Sequence, residues 1–179
     1  MNFIEIYDNA LSQKECDILI NIFETSSQIR GRTTLGYEPD EKNCLQLLNT
    51  TFSDDTQMSS IICNSITKYI DEYSNKYEAV DKCIYWWRVD DGYNVQKYET
   101  EDYGYKQWHC EHTKGSCDRV LAWMFYLNNA QSGTEFMYYP NIGAKMGRLV
   151  IWPSGWTHLH RGAPNKGLKY IVTGWASYT

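Results

Sequence analysis

The stretch Trp108-His109-Cys110-Glu111 sets an imidazole and a carboxylate two positions apart, and a second polar cluster lies far downstream: Thr157-His158-Leu159-His160-Arg161-Gly162-Ala163-Pro164, then Lys169. Two histidines and one carboxylate can occupy one face of an Fe(II) ion and leave the opposite positions open. On a β-strand His109 and Glu111 would project from the same face and grip one ion, with Cys110 and His112 turned away. That parity opposes the competing reading of His-Cys-Glu-His as a compact zinc cluster. The third ligand would come from the downstream cluster, where His158 and His160 share parity, so that parity leaves both open.

Just after those histidines Arg161, Lys166 and Lys169 gather positive charge in a chain whose net charge is −5. A solvated basic turn is the plain reading. A clamp for a dicarboxylate is the functional one, because a lysine head group inside a barrel is costly unless an anion pairs with it.

These residues need elements to hold them. Ser12 can cap a helix running to about Thr25, with Glu15 as its capping-box partner and Cys16, Leu19, Ile20 and Phe23 on one face. A second helix is expected from about Thr56 to Tyr77, where Met58, Ile62, Ile66, Tyr69 and Tyr73 form a core stripe. The mixed pattern from Arg30 to Asn49 suits short strands or a loop. From Cys83 onward the pattern turns to short apolar or alternating runs broken by Gly, Asn, Asp and Pro. Candidate strands are Cys83–Val89, Tyr93–Tyr98, Tyr105–Glu111, Arg119–Leu127, Thr134–Tyr138, Arg148–Trp152, Thr157–Arg161 and Lys169–Trp175. Helices first and strands after give a mainly β fold with N-terminal helices, a jelly roll rather than βαβ units. We expect one domain over 1–179, with helical support to about residue 80 and a jelly-roll core over about 83–177.

Composition excludes other classes. The acidic balance argues against a nucleic-acid partner. Nowhere do about 18 apolar residues run together, so no membrane span is expected. The start, Met1 to Leu11, lacks a basic and then apolar leader pattern, and the six cysteines form no Cys-x-x-Cys pair; free thiols in the cytoplasm are the expectation.

The segment from about Tyr93 to Trp175 resembles the double-stranded β-helix core of Fe(II)- and 2-oxoglutarate-dependent dioxygenases, most of all the prolyl 4-hydroxylase branch. The matching pieces are Tyr98…Tyr105-x-x-x-His109-x-Glu111, Tyr126-Leu127-Asn128, Gly133-Thr134-Glu135-Phe136, and His160-x-Gly162-x-Pro164…Gly167-x-Lys169…Trp175. The resemblance implies that His109, Glu111 and His160 bind Fe(II), His160 being favoured because it stands four before Pro164, as the family's distal histidine does. It implies that Lys169 and Tyr98 hold the far carboxylate of 2-oxoglutarate, within reach of Arg161, and that Trp175 walls the pocket. Thr134 or Glu135 falls at a pocket-lining position. Glu111 departs from the family's usual Asp by one methylene.

By the same resemblance the reaction is hydroxylation of a substrate C–H with O2, releasing succinate and CO2, with ascorbate as an accessory reductant. The substrate would be a prolyl residue in a peptide or protein, or an amino acid. Tyr85, Trp86, Trp87, Tyr103 and Trp108 offer aromatic faces for it, and Glu99 to Tyr103 would form a loop at the site mouth. Two rivals remain: a cupin-like metal protein, an isomerase or dioxygenase without 2-oxoglutarate, which has no need of Lys169, and a jelly-roll binding module, which has no need of the His109/Glu111/His160 set. Oligomeric state is not legible.

Overall fold

Ser12 Oγ accepts the Glu15 N–H at 3.3 Å while Glu15 Oε2 accepts the Ser12 N–H at 2.7 Å, a reciprocal cap that starts the first helix. In the computed structural model, which describes every residue except 34, 35, 48, 49, 84, 85, 102 and 165 and the side chains of 81 and 83, that helix (α1) is Gln13–Thr25. It buries Cys16, Leu19 and Phe23. The second helix (α2), Gln57–Lys76, is capped by Thr56 and buries Met58, Ile62, Ile66, Ile70 and Tyr73. Among the described residues no helix is long and apolar enough to cross a membrane.

The other elements, in chain order, are β1 Glu5–Tyr7, β2 Gln28–Arg30, β3 Lys42–Asn43, β4 Leu45–Leu47, the short helix α3 Ala79–Cys83, β5 Trp87–Tyr98, β6 Gly104–Tyr105, β7 Arg119–Tyr126, β8 Thr134–Phe136, β9 Leu149–Pro153, a 3-10 turn Trp156–His158, β10 His160–Gly162 and β11 Lys169–Tyr178. The main sheet is antiparallel throughout, in the order β1-β9-β7-β11-β5-β4-β2. Two small ribbons, β10-β8 and β3-β6, accompany it.

Period-2 alternation divides the main sheet into two working faces. Leu121, Trp123 and Phe125 of β7, Leu149 and Ile151 of β9 and Val172 of β11 pack with α1 and α2 in one apolar cluster. Each large side chain buried there contributes about 1.5–3 kcal/mol. The alternate residues, Ala122, Met124 and Tyr126, Val150 and Trp152, and Ile171, join a second cluster on the opposite face. That face closes over a cavity of about 420 Å³. The helices therefore brace the sheet from behind, and the cavity side is free for chemistry.

Four expected strands differ. Cys83 ends α3 instead of opening a strand, and residues 87–98 form one continuous strand despite the turn-like Asp90-Asp91-Gly92. That polar stretch is satisfied from outside: the Asp91 carboxylate accepts the Ser53 N–H and Oγ–H, both at 2.8 Å, and the Asp91 carbonyl accepts the Phe52 N–H. Tyr105–Glu111 is not a strand beyond Tyr105, and Thr157–Arg161 splits into the 3-10 turn and β10. Of the six cysteines, Cys16, Cys44, Cys63, Cys110 and Cys117 are free thiols.

Candidate metal centre

His109 and His160 are directly opposed in an isolated antiparallel bridge, exchanging N–H···O bonds of 3.0 and 2.9 Å. Opposed residues of such a pair project to one side, and the two imidazoles stand 4.4 Å apart between centroids. Each ring is fixed by its Nδ1, which lies 2.9 Å from a backbone carbonyl, that of Gln107 for His109 and that of His158 for His160. A carbonyl only accepts, so both Nδ1 atoms carry the proton and both Nε2 lone pairs are left for a metal.

Glu111 supplies the third donor from irregular backbone. Its N–H and that of His112 both donate to the Ser154 carbonyl at 3.0 Å, which ends strand geometry after His109. Parity thus does not align His109 with Glu111, and the longer glutamate side chain spans the difference. Glu111 Oε1 faces His160 Nε2 at 3.4 Å and His109 Nε2 at 3.8 Å. Its Oε2 is tied off, accepting from Trp175 Nε1 at 2.8 Å and from Arg119 Nη1 at 3.0 Å. Arg119 in turn lies flat on the Trp175 indole, 3.6 Å from its centroid. One donor atom from each of His109, Glu111 and His160 falls within 4.8 Å of the others.

Electrostatics suit a cation here. Burial, then the His160 charge, pushes the His109 imidazole down to about 4, so it is neutral at physiological pH. Burial pushes the Glu111 carboxyl up, but hydrogen bonding and charge from His160, then His109 and Arg119, outweigh it and hold the group at about 2. Tyr105 stacks on His109 at 3.8 Å, and Trp152 and Phe136 pack edgewise or tilted on His160 at 5.0 and 5.7 Å, an aromatic jacket around the two imidazoles.

At the other end of the cavity lies Lys169, 3% exposed, opposite Tyr98 in the β11–β5 register. Its Nζ sits 5.0 Å above the Tyr98 ring, and among the described residues no carboxylate pairs with it. Burial alone lowers its pKa to about 8. The Trp152 indole N–H likewise finds no acceptor among the described residues. A buried cation without an anion and a buried donor without an acceptor suit a carboxylate-bearing ligand, and two imidazoles aimed by their Nδ1 bonds beside a carboxylate suit Fe(II). The residues present fit both groups.

The remaining expected residues divide. Thr134 is buried in the cavity wall, its hydroxyl 2.6 Å from that of Tyr126, whereas Glu135 accepts from Arg161 Nε at 2.7 Å. Arg161 lines the cavity but is occupied by Glu135 and by the Trp108 ring, 4.5 Å away. Trp175 lines the cavity and also holds Glu111. His158 is drawn off: its Nε2 donates to the Asn2 carbonyl at 2.8 Å and its ring stacks on Tyr139. Trp86 is 81% exposed, the Tyr103 hydroxyl accepts from Arg30, and Tyr85 and Asp102 lie outside the described residues. Sequence reasoning quoted Tyr105 in the family motif without giving it a role, and missed Arg119, Trp152 and Lys42. Only Arg119 had a signal, as a lone cation beginning an apolar strand.

Residues 93–177, which carry all of the site but Lys42 and its neighbours, match the family model of the 2OG-Fe(II) oxygenase superfamily. They form a 2OG-Fe(II) oxygenase domain. The whole fold is similar to that of the viral collagen prolyl hydroxylase of Paramecium bursaria Chlorella virus-1, solved with 2OG, at a TM-score of 0.71 and 22% identity over 99% of this chain and 97% of that one. It is similar to a Trichoplax adhaerens prolyl hydroxylase, solved with a hypoxia-inducible-factor peptide, at 0.76 and 14% over 99% and 84%. A Pseudomonas putida prolyl-4-hydroxylase gives 0.69 and 12% over 99% and 94%. No curated protein matches by sequence. The oxygenase thus depends on Fe(II), 2-oxoglutarate and O2.

Proposed function

We propose that the oxygenase hydroxylates a C–H bond of a prolyl residue in a peptide or protein, on a double-stranded β-helix core. The observation that carries this reading is the pairing, in one cavity, of the His109/Glu111/His160 donors with the unpaired Lys169 ammonium. The fold likeness to prolyl hydroxylases supports the substrate. When bound, Fe(II) with 2-oxoglutarate and O2 supplies oxidation of an unactivated C–H bond, the co-substrate leaving as succinate and CO2.

The protein's own residues prepare that chemistry. His109, Glu111 and His160 would hold the metal, and the carbonyls of Gln107 and His158 keep both imidazoles in the tautomer that presents Nε2. Arg119 and Trp175 occupy Glu111 Oε2, which would leave Oε1 to the metal. Lys169 would receive the far carboxylate of 2-oxoglutarate, with the Tyr98 ring under its ammonium; the Tyr98 hydroxyl donates to Gln96 Oε1 at 2.9 Å and would have to turn from it to share that carboxylate. Thr134 and Tyr126 present hydroxyls beside the same ligand.

Anaerobic titration of the apo-protein with Fe(II) and 2-oxoglutarate tests this reading. A visible charge-transfer band in the wild type that weakens in Lys169→Ala is expected, and, once O2 is admitted with peptide present, a 16-Da mass gain on proline-containing peptides. Iron binding without the band would remove the co-substrate from the proposal; a band with no peptide hydroxylated would remove peptidyl proline.

A further inference from the structure

The cavity holds a second buried ammonium group. Lys42 is 8% exposed and stands opposite Tyr105 in the β3–β6 register, so it projects beside the ring that covers His109. Its Nζ is 5.5 Å from the Tyr105 centroid and donates to the Arg32 carbonyl at 3.2 Å. Lys42 and Lys169 serve different places. The field of Lys42 reaches both His109 and Glu111, whereas Lys169 sits over the Tyr98 ring.

The other cations of the cavity are accounted for. Arg119 is held by Glu111, Arg161 by Glu135, and Lys169 by the co-substrate in the reading above. Arg32 is exposed at the rim. Among the described residues no carboxylate forms an ion pair with Lys42. Among the described residues its ammonium donates to the Arg32 carbonyl, a neutral group that does not balance its charge. Burying an ammonium group this way is costly, and a Met or Gln would fill the same space without that cost. A group retained against such a cost, facing the metal ligands in an open cavity, has the chemistry of an anion receptor.

We propose that Lys42 receives a carboxylate of the organic substrate, so that the oxygenase acts on a carbon close to a free carboxylate: a free amino acid or the C-terminal residue of a chain, in preference to an internal residue. This rests on the hydroxylase reading; a C-terminal residue narrows the substrate proposed above, and a free amino acid would replace it. It also assigns a role to the β3 ribbon, which lies outside the residues the family model covers.

The test uses the anaerobic Fe(II)/2-oxoglutarate complex of the full chain and reads probe binding from the shift of its visible band. The probes are N-acetyl-L-proline, its primary amide and free L-proline. The acid should bind about tenfold or more tightly than the amide, the effect of one desolvated charge pair. Lys42→Gln should abolish that preference and leave the affinity for 2-oxoglutarate unchanged, and Lys42→Arg should retain it. Free proline against the acetylated acid then separates an amino acid from a chain end. Equal binding of acid and amide, no binding of the acid, a preference that survives in Lys42→Gln, or a loss of 2-oxoglutarate affinity in that variant would each overturn the proposal. Should Lys42→Gln fail to fold, the wild-type comparison of acid with amide decides. Absence of the Fe(II)/2-oxoglutarate band in the wild type would overturn the hydroxylase reading itself.

Discussion

The metal end and the Lys169 end of the cavity are built from opposite materials. His109 sits on a single isolated bridge and Glu111 on irregular backbone, yet nearly every polar atom there has a partner. Lys169 and Tyr98 lie on the long paired strands β11 and β5, and the ammonium has no counter-charge among the described residues. The difference follows from what each ligand needs. A metal needs lone pairs converging from separate segments at fixed angles, so hydrogen bonds must do the aiming. A carboxylate end needs one charge in a dry hole, and the regular pleat delivers that by alternation alone.

The sharpest way to break the comparison is at Glu111. Glu111→Ala should reduce bound iron and 2-oxoglutarate decarboxylation to background with the fold retained; stoichiometric iron by metal analysis would mean that the donors have been misread. At the other end, Lys169→Ala should leave iron in place and weaken 2-oxoglutarate binding by roughly 30- to 1,000-fold, about 2–4 kcal/mol, measured by titrating the visible band. An equal loss of iron would erase the division between the two ends.

Acid pH should sharpen it. The ordinary histidine value is 6.5, and burial holds His109 at about 4. Below pH 6.5 the unfolded chain takes up a proton that the folded one refuses until about 4, so apo-protein stability is fully present above 6.5 and falls through that window. The loss amounts to about 3 kcal/mol. Glu111, ordinarily 4.5 and held at about 2, adds a loss of the same sign further down, complete only as pH falls through about 2. Urea unfolding of metal-free protein from pH 8 to 4 should show the first slope, and His109→Gln should flatten it. The smallest expected effect is on the hydrogen bonds that aim Glu111: Trp175→Phe should weaken iron binding by about 10- to 100-fold and leave 2-oxoglutarate affinity for the remaining holo-protein nearly unchanged. A wild-type iron affinity in that variant would show that Arg119 holds Glu111 unaided.

Local signals carried the frame. Ser12 with Glu15, and Thr56 ahead of its apolar stripe, announced both long helices, because caps and periodicity act over a few residues. Strands β7, β9 and β11 were legible for the same reason. The ligand types and Lys169 were legible as chemistry: His, Glu and a lone Lys are costly to bury without a task.

What only the tertiary structure decided was orientation. His158 and His160 are alike in sequence, and it is the bridge to His109 that turns His160 inward and the Asn2 carbonyl that holds His158 away. Glu111 reaches the imidazoles because Ser154, Arg119 and Trp175, all distant in the chain, bend its backbone and pin its second oxygen. Arg161 finds Glu135 across the β10–β8 ribbon, and Lys42 comes to the cavity on the β3–β6 ribbon. The sequence by itself determined which groups were available and which elements would carry them, since both follow from side-chain chemistry and short-range periodicity. Where those groups point depends on strand register and on partners far apart in the chain, which no local pattern encodes.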